Sequence, residues 1–290
     1  MEYFDRYFNY IATRTDEDGF IRFGLVDWAR PGCEIRGYEN DVPLEFINSL
    51  LLCEFCRIAA LSADLCGKDN DKYLNMADKY KELVMSSYLD PSGRCTVHKQ
   101  TSVAMLIYYD AYTSLEPLKE QLIEIVEEFN FNHDCGMVGL RRLYYALNKC
   151  GLEEYAYKII TAGGNPSYRE WMENGATTLW ESWDWKCCKS SRNHQMYSDV
   201  MSWMIKTILG INMTEPGLKK ISIAPYYFSE LSWAKGSYMT QCGEIKVSWH
   251  REEEYIVTEI DVPTGVEVEY RDKVLDAGNN IIREKISLVR

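Results

Sequence analysis

The stretch NHQMYSDVMSWMIKTILGINMTEPGLKKISI, residues 193–223, decides how the chain is built. Asn193–Leu209 reads as a long helix, with Gly210 placed to cap its C-terminus. After Met213–Gly217 (MTEPG) the apolar spacing changes to a period of two. Ile221 and Ile223 alternate with polar residues, as do Ile245, Val247 and Trp249, and then Val266, Val268 and Tyr270. Turn residues punctuate these runs at Cys242-Gly243 and Asp276-Ala277-Gly278. This pattern predicts a small antiparallel β-sandwich. The boundary is placed between 1–213 and 214–290.

Upstream, the chain reads as helix after helix. The spacing predicts helices over Tyr3–Ala12, Pro43–Leu65, Asp71–Tyr88, Gln100–Tyr112, Leu115–Phe129, Met137–Lys149 and Glu153–Thr161. Pro43 suits a helix's first turn. Phe46, Leu50, Cys53, Ala60 and Leu61 mark the apolar side of the second helix. The cluster Asp90-Pro91-Ser92-Gly93 closes the third. The short linkers predict antiparallel neighbours.

Composition narrows the partners. The 290 residues carry 44 acidic and 32 basic side chains, a net charge of −12. That disfavours a nucleic-acid backbone and an anionic membrane surface, both of which need a basic face. No unbroken run of 18 apolar residues occurs, so no membrane-spanning helix is expected. Met1–Tyr10 lacks the basic and apolar regions of a signal peptide. With the ten cysteines scattered along the chain, reduced thiols and a cytoplasmic location are the expectation. Cys53-x-x-Cys56 lies inside a helix without a second pair, which argues against a zinc site. Cys187 and Cys188 are adjacent, and a disulfide between them would be strained. No G-x-S-x-G, phosphate loop or H-E-x-x-H is present, and neither metal nor cofactor is expected.

The chemistry-bearing residues are concentrated in WMENGATTLWESWD, residues 171–184. Trp171, Trp180 and Trp183 flank Glu173, Glu181 and Asp184, and Trp185 adds a fourth ring. Indole faces stack on the apolar face of a sugar, and a carboxylate between them is suited to acid–base work. Gly175-Ala176-Thr177-Thr178 would allow close backbone approach. A tryptophan-rich core segment with solvated carboxylates fits the same residues. In GLVDWARP, residues 24–31, Asp27 beside Trp28 repeats the carboxylate–indole pairing. His194, after Arg192 and Asn193, is placed to bond a hydroxyl or to pack or cap.

In this order the motifs resemble the C-terminal part of an inverting α-L-rhamnosidase of glycoside hydrolase family 78. GLVDWARP is similar to that family's Gly-Asp-Trp loop, and QTSVAMLIYYD (100–110) to its Gln-Thr helix. NGATTLWESWD (174–184) is similar to its Gly-Ala-Thr-Thr-x-Trp-Glu-x-Trp-Asp segment, the most specific match. NHQMYSDVMSWMIKTILGI (193–211) resembles its Asn-His helix. PGLKKISIAPYY (216–227) and GSYMTQCGEIKVSWH (236–250) resemble strands of its C-terminal domain. The resemblance implies a partial (α/α)6 barrel, the six-hairpin glycosidase type, followed by the β-sandwich. It implies Glu181 as the general base and Asp27, Trp28 and His194 as residues of the rhamnose pocket. It implies Trp171 and Trp183 as aromatic walls.

Two departures shape the expectation. The family's general-acid segment, rich in Asp, Arg and Glu, is not found, and eight helices fall short of the twelve of a full barrel. In the Gly-Asp-Trp loop, Val26 replaces the glycine. The chain is therefore expected to leave apolar helix faces open, and to self-associate or pair with an N-terminal fragment. Asp184, Asp199 and Asp27 are the in-chain candidates for the acid. Besides hydrolysis of a rhamnose-containing glycoside, two readings stay open: a non-catalytic carbohydrate-binding remnant, and a helical-toroid glycosidase for another sugar.

Overall fold

The computed structural model describes residues 1–32, 41–186, 190–215 and 217–286. Cys33, Cys187, Cys188 and Pro216 lie outside the described residues. The chain divides into two compact units, Met1–Tyr197 and Ser198–Arg290.

The first unit is helical. Its elements are α1 (Glu2–Ala12), α2 (Leu44–Leu65), α3 (Asp71–Tyr88), α4 (Gln100–Tyr108), α5 (Glu116–Glu128), α6 (Met137–Lys149), α7 (Glu153–Thr161) and α8 (Tyr168–Glu173). Pro43 precedes α2 and Pro117 sits in the first turn of α5, where a missing N–H costs nothing. Neighbours in sequence pack together, α2 on α3, α4 on α5 and α6 on α7, and α4 also packs on α6. Short linkers leave little other choice. In α4, Gln100 through Ile107 are all buried, so this helix is enclosed on every side. Phe8 and Ile11 of α1 join Leu52, Cys53, Cys56 and Ala59 of α2 and Tyr73 and Tyr80 of α3 in one core.

Some expected elements differ. α8 was not foreseen: six residues are too few for a helical period to register. Its start is fixed by Ser167, whose Oγ accepts the Glu170 N–H at 3.0 Å. Leu61, expected on the apolar core side of α2, is 57% exposed. α2 is also long and apolar enough, by length and composition alone, to cross a membrane. Its Phe46, Ile47, Leu50 and Cys53 are nonetheless fully buried in this unit.

The second unit begins with α9 (Asp199–Trp203), which continues as a π-helical turn over Met204–Ile208. The helix expected from Asn193 thus starts six residues later. Side chains compete with the backbone before it: the Met196 N–H donates to His194 Nδ1 at 3.1 Å, and the Asn193 N–H to Ser191 Oγ at 3.2 Å. Gly210 then takes a left-handed conformation, φ 71°, as a residue closing a helix does.

Eight strands follow: β1 (Ile211–Met213), β2 (Lys220–Ile223), β3 (Trp233–Thr240), β4 (Gly243–Glu252), β5 (Tyr255–Val262), β6 (Glu267–Tyr270), β7 (Lys273–Leu275) and β8 (Gly278–Lys285). They form two four-stranded sheets, β1-β2-β6-β7 and β3-β4-β5-β8. Ile221, Ile223 and Val268 of one sheet share a core with Ile245, Val247 and Ile260 of the other. The two inner faces therefore pack as a sandwich. All pairs are antiparallel except β2 with β6, which run parallel, Ile221 opposite Val268. Period-two patterning predicts strands and their buried faces but carries no information on which strands pair or in which sense.

Candidate active site

The segment 174–184 and the loop 190–194 lie side by side. The Glu181 N–H donates to the Ser191 carbonyl at 2.9 Å, and the Ser191 N–H returns to Glu181 Oε2 at 2.8 Å. The His194 N–H donates to the Leu179 carbonyl at 2.9 Å. Thr178 Oγ1 donates to the Arg192 carbonyl. These reciprocal bonds bring Glu181 and His194 onto adjoining chain segments. Both are half-buried. Among the described residues, the second oxygen of Glu181 has no hydrogen-bond partner. Such a carboxylate is held in orientation by one oxygen and offers the other to a water or hydroxyl.

The Gly24–Pro31 loop reaches the same region. The Gly32 N–H donates to Asp184 Oδ2 at 2.8 Å, and Tyr197 Oη donates to the Ala29 carbonyl. Trp28 is exposed. Its carbonyl accepts the Met137 N–H at 2.9 Å, at the start of α6.

Asp27 corrects the expectation of a sugar contact. It is buried, and both carboxylate oxygens are occupied. Oδ2 accepts Thr101 Oγ1 and the Gly136 N–H at 2.8 Å. Oδ1 accepts the Val138 and Gly139 N–H groups at 3.0 and 2.9 Å. Burial pushes this carboxyl above its ordinary range, against the pull of the four donors. Four donors fill the acceptor capacity of a carboxylate, so Asp27 ties its loop to α4 and to the start of α6. The sequence offered one sign of this, the Gln-Thr at the head of α4. It did not pair Thr101 with Asp27.

Trp171 and Trp183 also depart from expectation. Both are fully buried. Their rings stack on each other with centroids 4.5 Å apart, and Trp183 stacks on His133 at 4.5 Å and 14°. Tyr168 and Tyr197 pack against the same pair. A ring covered on its faces by other rings has no face for a sugar, so these two tryptophans are core and not walls. Trp180 is buried too, with the Arg192 guanidinium 4.6 Å from its ring centre. His133 belongs to the same stack. It lies under Trp183, and its Nε2 is 2.7 Å from the Tyr144 hydroxyl. Burial lowers its pKa to about 3, so it is a neutral core group at ordinary pH.

Of the acid candidates, Asp184 accepts from Gly32, Asp27 is consumed as described, and Asp199 belongs to the second unit. Cys53 and Cys56 are buried in α2, where burial pushes the Cys56 thiol up to about 12. Among the described residues, no group of three or more His, Cys, Asp or Glu side chains could hold a metal.

Residues 2–208 match the family described as the bacterial alpha-L-rhamnosidase 6 hairpin glycosidase domain, and residues 210–271 match the bacterial alpha-L-rhamnosidase C-terminal domain. An α-L-rhamnosidase of Formosa agariphila is 26% identical over 261 residues, covering 84% of this chain and 28% of that protein. The structure of an α-L-rhamnosidase from Dictyoglumus thermophilum is similar at a TM-score of 0.85 and 25% identity, over 97% of this chain and 35% of the other. The Streptomyces avermitilis α-L-rhamnosidase, solved with L-rhamnose, shares the fold at a TM-score of 0.84 and 19% identity, over 97% and 29%. The chain thus spans about a third or less of the length of these relatives.

Proposed function

This chain belongs to the family of bacterial α-L-rhamnosidase six-hairpin glycosidase domains, and from that premise we propose that it carries the base side of an inverting α-L-rhamnosidase. Residues 2–208, which match the six-hairpin family, supply the barrel part, and the sandwich that begins with β1 at Ile211 is the β domain. The observation that carries the reading is Glu181, oriented by the Ser191 N–H through one oxygen and, among the described residues, without a hydrogen-bond partner at the other. Glu181 takes a proton from water as that water attacks the anomeric carbon of a terminal rhamnosyl residue. The glycosidic bond breaks, and a carboxylic acid protonates the departing oxygen, with inversion at the anomeric carbon. His194 and Trp28 contact the sugar. Asp27 acts at one remove, by fixing the loop that bears Trp28.

The acid belongs about 6.5–9.5 Å from the base. Asp27 and Asp184 are engaged by backbone donors, which supports an acid supplied from outside these 290 residues. The apolar outer side of α2 supports the same view. Phe55, Ile58, Leu61 and Leu65 are each 47% exposed or more, and they form the face on which a complementary helical segment, or a second copy, would dock.

The test is hydrolysis of p-nitrophenyl α-L-rhamnoside by the chain alone and by the chain mixed with a fragment bearing the family's acid segment. Turnover is expected only in the mixture, and Glu181→Gln should lower kcat by about 10²–10⁴. Turnover by the chain alone would overturn the missing-acid part. Turnover insensitive to Glu181→Gln would overturn the base. Sugar binding without turnover in the mixture would favour the non-catalytic carbohydrate-binding alternative.

A further inference from the structure

We propose that the outward face of the sheet β3-β4-β5-β8 is a second saccharide-binding surface, a platform for a neutral polysaccharide made by the second unit alone. In a strand, alternate side chains share a face. The pairing register sets these outward side chains in rows across the strands. One row runs Lys235, Ser248, Glu259. The next runs Ser237, Lys246, Asp261, Asn279. Together they line an open groove of about 670 Å³.

The groove's polar groups are largely unspent. Among the described residues, Lys235, Ser248, Glu259 and Asn279 make no side-chain hydrogen bond and no ion pair. Lys246 is held only loosely, 3.8 Å from Glu244 and 3.9 Å from Asp261. Here Lys235 and Lys246 stand beside Glu259 and Asp261, and the lining charges cancel. An anionic ligand would meet two carboxylates and a cationic one two ammoniums. A polyol suits both, because each hydroxyl donates to a carboxylate and accepts from an ammonium or amide.

Trp233 supplies the stacking surface. It begins β3, lies on the same face as Lys235 by alternation, and pairs across to His250. It is 58% exposed, and its indole makes no hydrogen bond or ring contact among the described residues. It lines the adjoining cavity with Met204, Ile208 and Leu231, two residues along β3 from Lys235, and an exposed indole so placed is suited to the apolar face of a pyranose. From Trp233 to Ser237 the strand spans about 13 Å, the reach of a short oligosaccharide.

The experiment is affinity electrophoresis of the whole chain through gels that each hold one polysaccharide: galactan, arabinan, xylan, glucomannan, or polygalacturonate as the anionic control. At least one neutral polymer should retard the chain, and polygalacturonate should not. Trp233→Ala should weaken that retardation by about tenfold, and Glu259→Ala and Ser248→Ala by smaller factors. These positions are at the surface, so thermal melting should be unchanged and a loss would report binding and not unfolding. Three results would overturn the proposal. One is no retardation by any neutral polymer. Another is retardation unaffected by Trp233→Ala. The third is retardation lost in Trp28→Ala but kept in Trp233→Ala. None of these bears on the Glu181 chemistry, which is read by hydrolysis.

Discussion

Asp27 and Glu181 are both carboxylates next to a tryptophan, yet their surroundings give them opposite duties. Asp27 is enclosed and accepts four donors from Thr101, Gly136, Val138 and Gly139. Glu181 accepts one backbone N–H, and its other oxygen has no hydrogen-bond partner among the described residues. Adjacent residues cannot announce this difference, because the donors to Asp27 come from positions more than 70 residues away. The distinction has a measurable consequence. Asp27→Ala leaves three backbone N–H groups and a hydroxyl buried without an acceptor, and should cost about 2–4 kcal/mol in urea unfolding. Glu181→Ala, at a half-buried site, should cost under about 1 kcal/mol. Equal and small losses for both would return Asp27 to the list of residues that face the pocket.

At the level of elements, the sequence marked most helices within a residue or two, and α3, α6 and α7 as drawn. These are segments in which period, punctuation and packing agree. The failures cluster where short polar side chains bond the local backbone, as at Ser191, Asn193 and His194, and where an element is shorter than two turns, as in α8. The passage from the π-helical turn to β1 depends on Gly210. A Cβ there would lie 2.2 Å from both the Ala224 carbonyl carbon and the Pro225 nitrogen, and its φ is 71°. Both the clash and the left-handed backbone penalise a side chain. Gly210→Ala should therefore lower stability by about 2–3 kcal/mol, read as a lower denaturation midpoint. A neutral result would mean that the turn and β2 adjust easily.

At the scale of the whole molecule, α2 carries an exposed apolar side, the kind of surface that favours association. Phe55, Ile58, Leu61 and Leu65 lie along it, and Tyr7 of α1 packs against Phe55 with ring centres 5.8 Å apart. The net charge of −12 opposes non-specific clumping, so association should be specific to this face. Sedimentation across a dilution series should show self-association. The double variant Ile58→Glu, Leu65→Lys should shift the chain to monomer, with unfolding changed by no more than about 0.5 kcal/mol per surface site. A wild-type monomer at every concentration would rule out a second copy as the occupant of this face.

What the sequence by itself determined was the division into a helical part and a β part, the position and buried face of the longer elements, and the family. Each rests on information local in the chain: a period, a turn residue, or a motif in consecutive positions. What only the tertiary structure decided was the use to which each side chain is put. Trp171, Trp183 and His133 form one buried stack, Asp27 joins a loop to two helices, and β2 runs parallel to β6. Ser191 holds one oxygen of Glu181. These are contacts between distant positions, set by how helices and sheets close around a core, and no pattern in neighbouring residues encodes them.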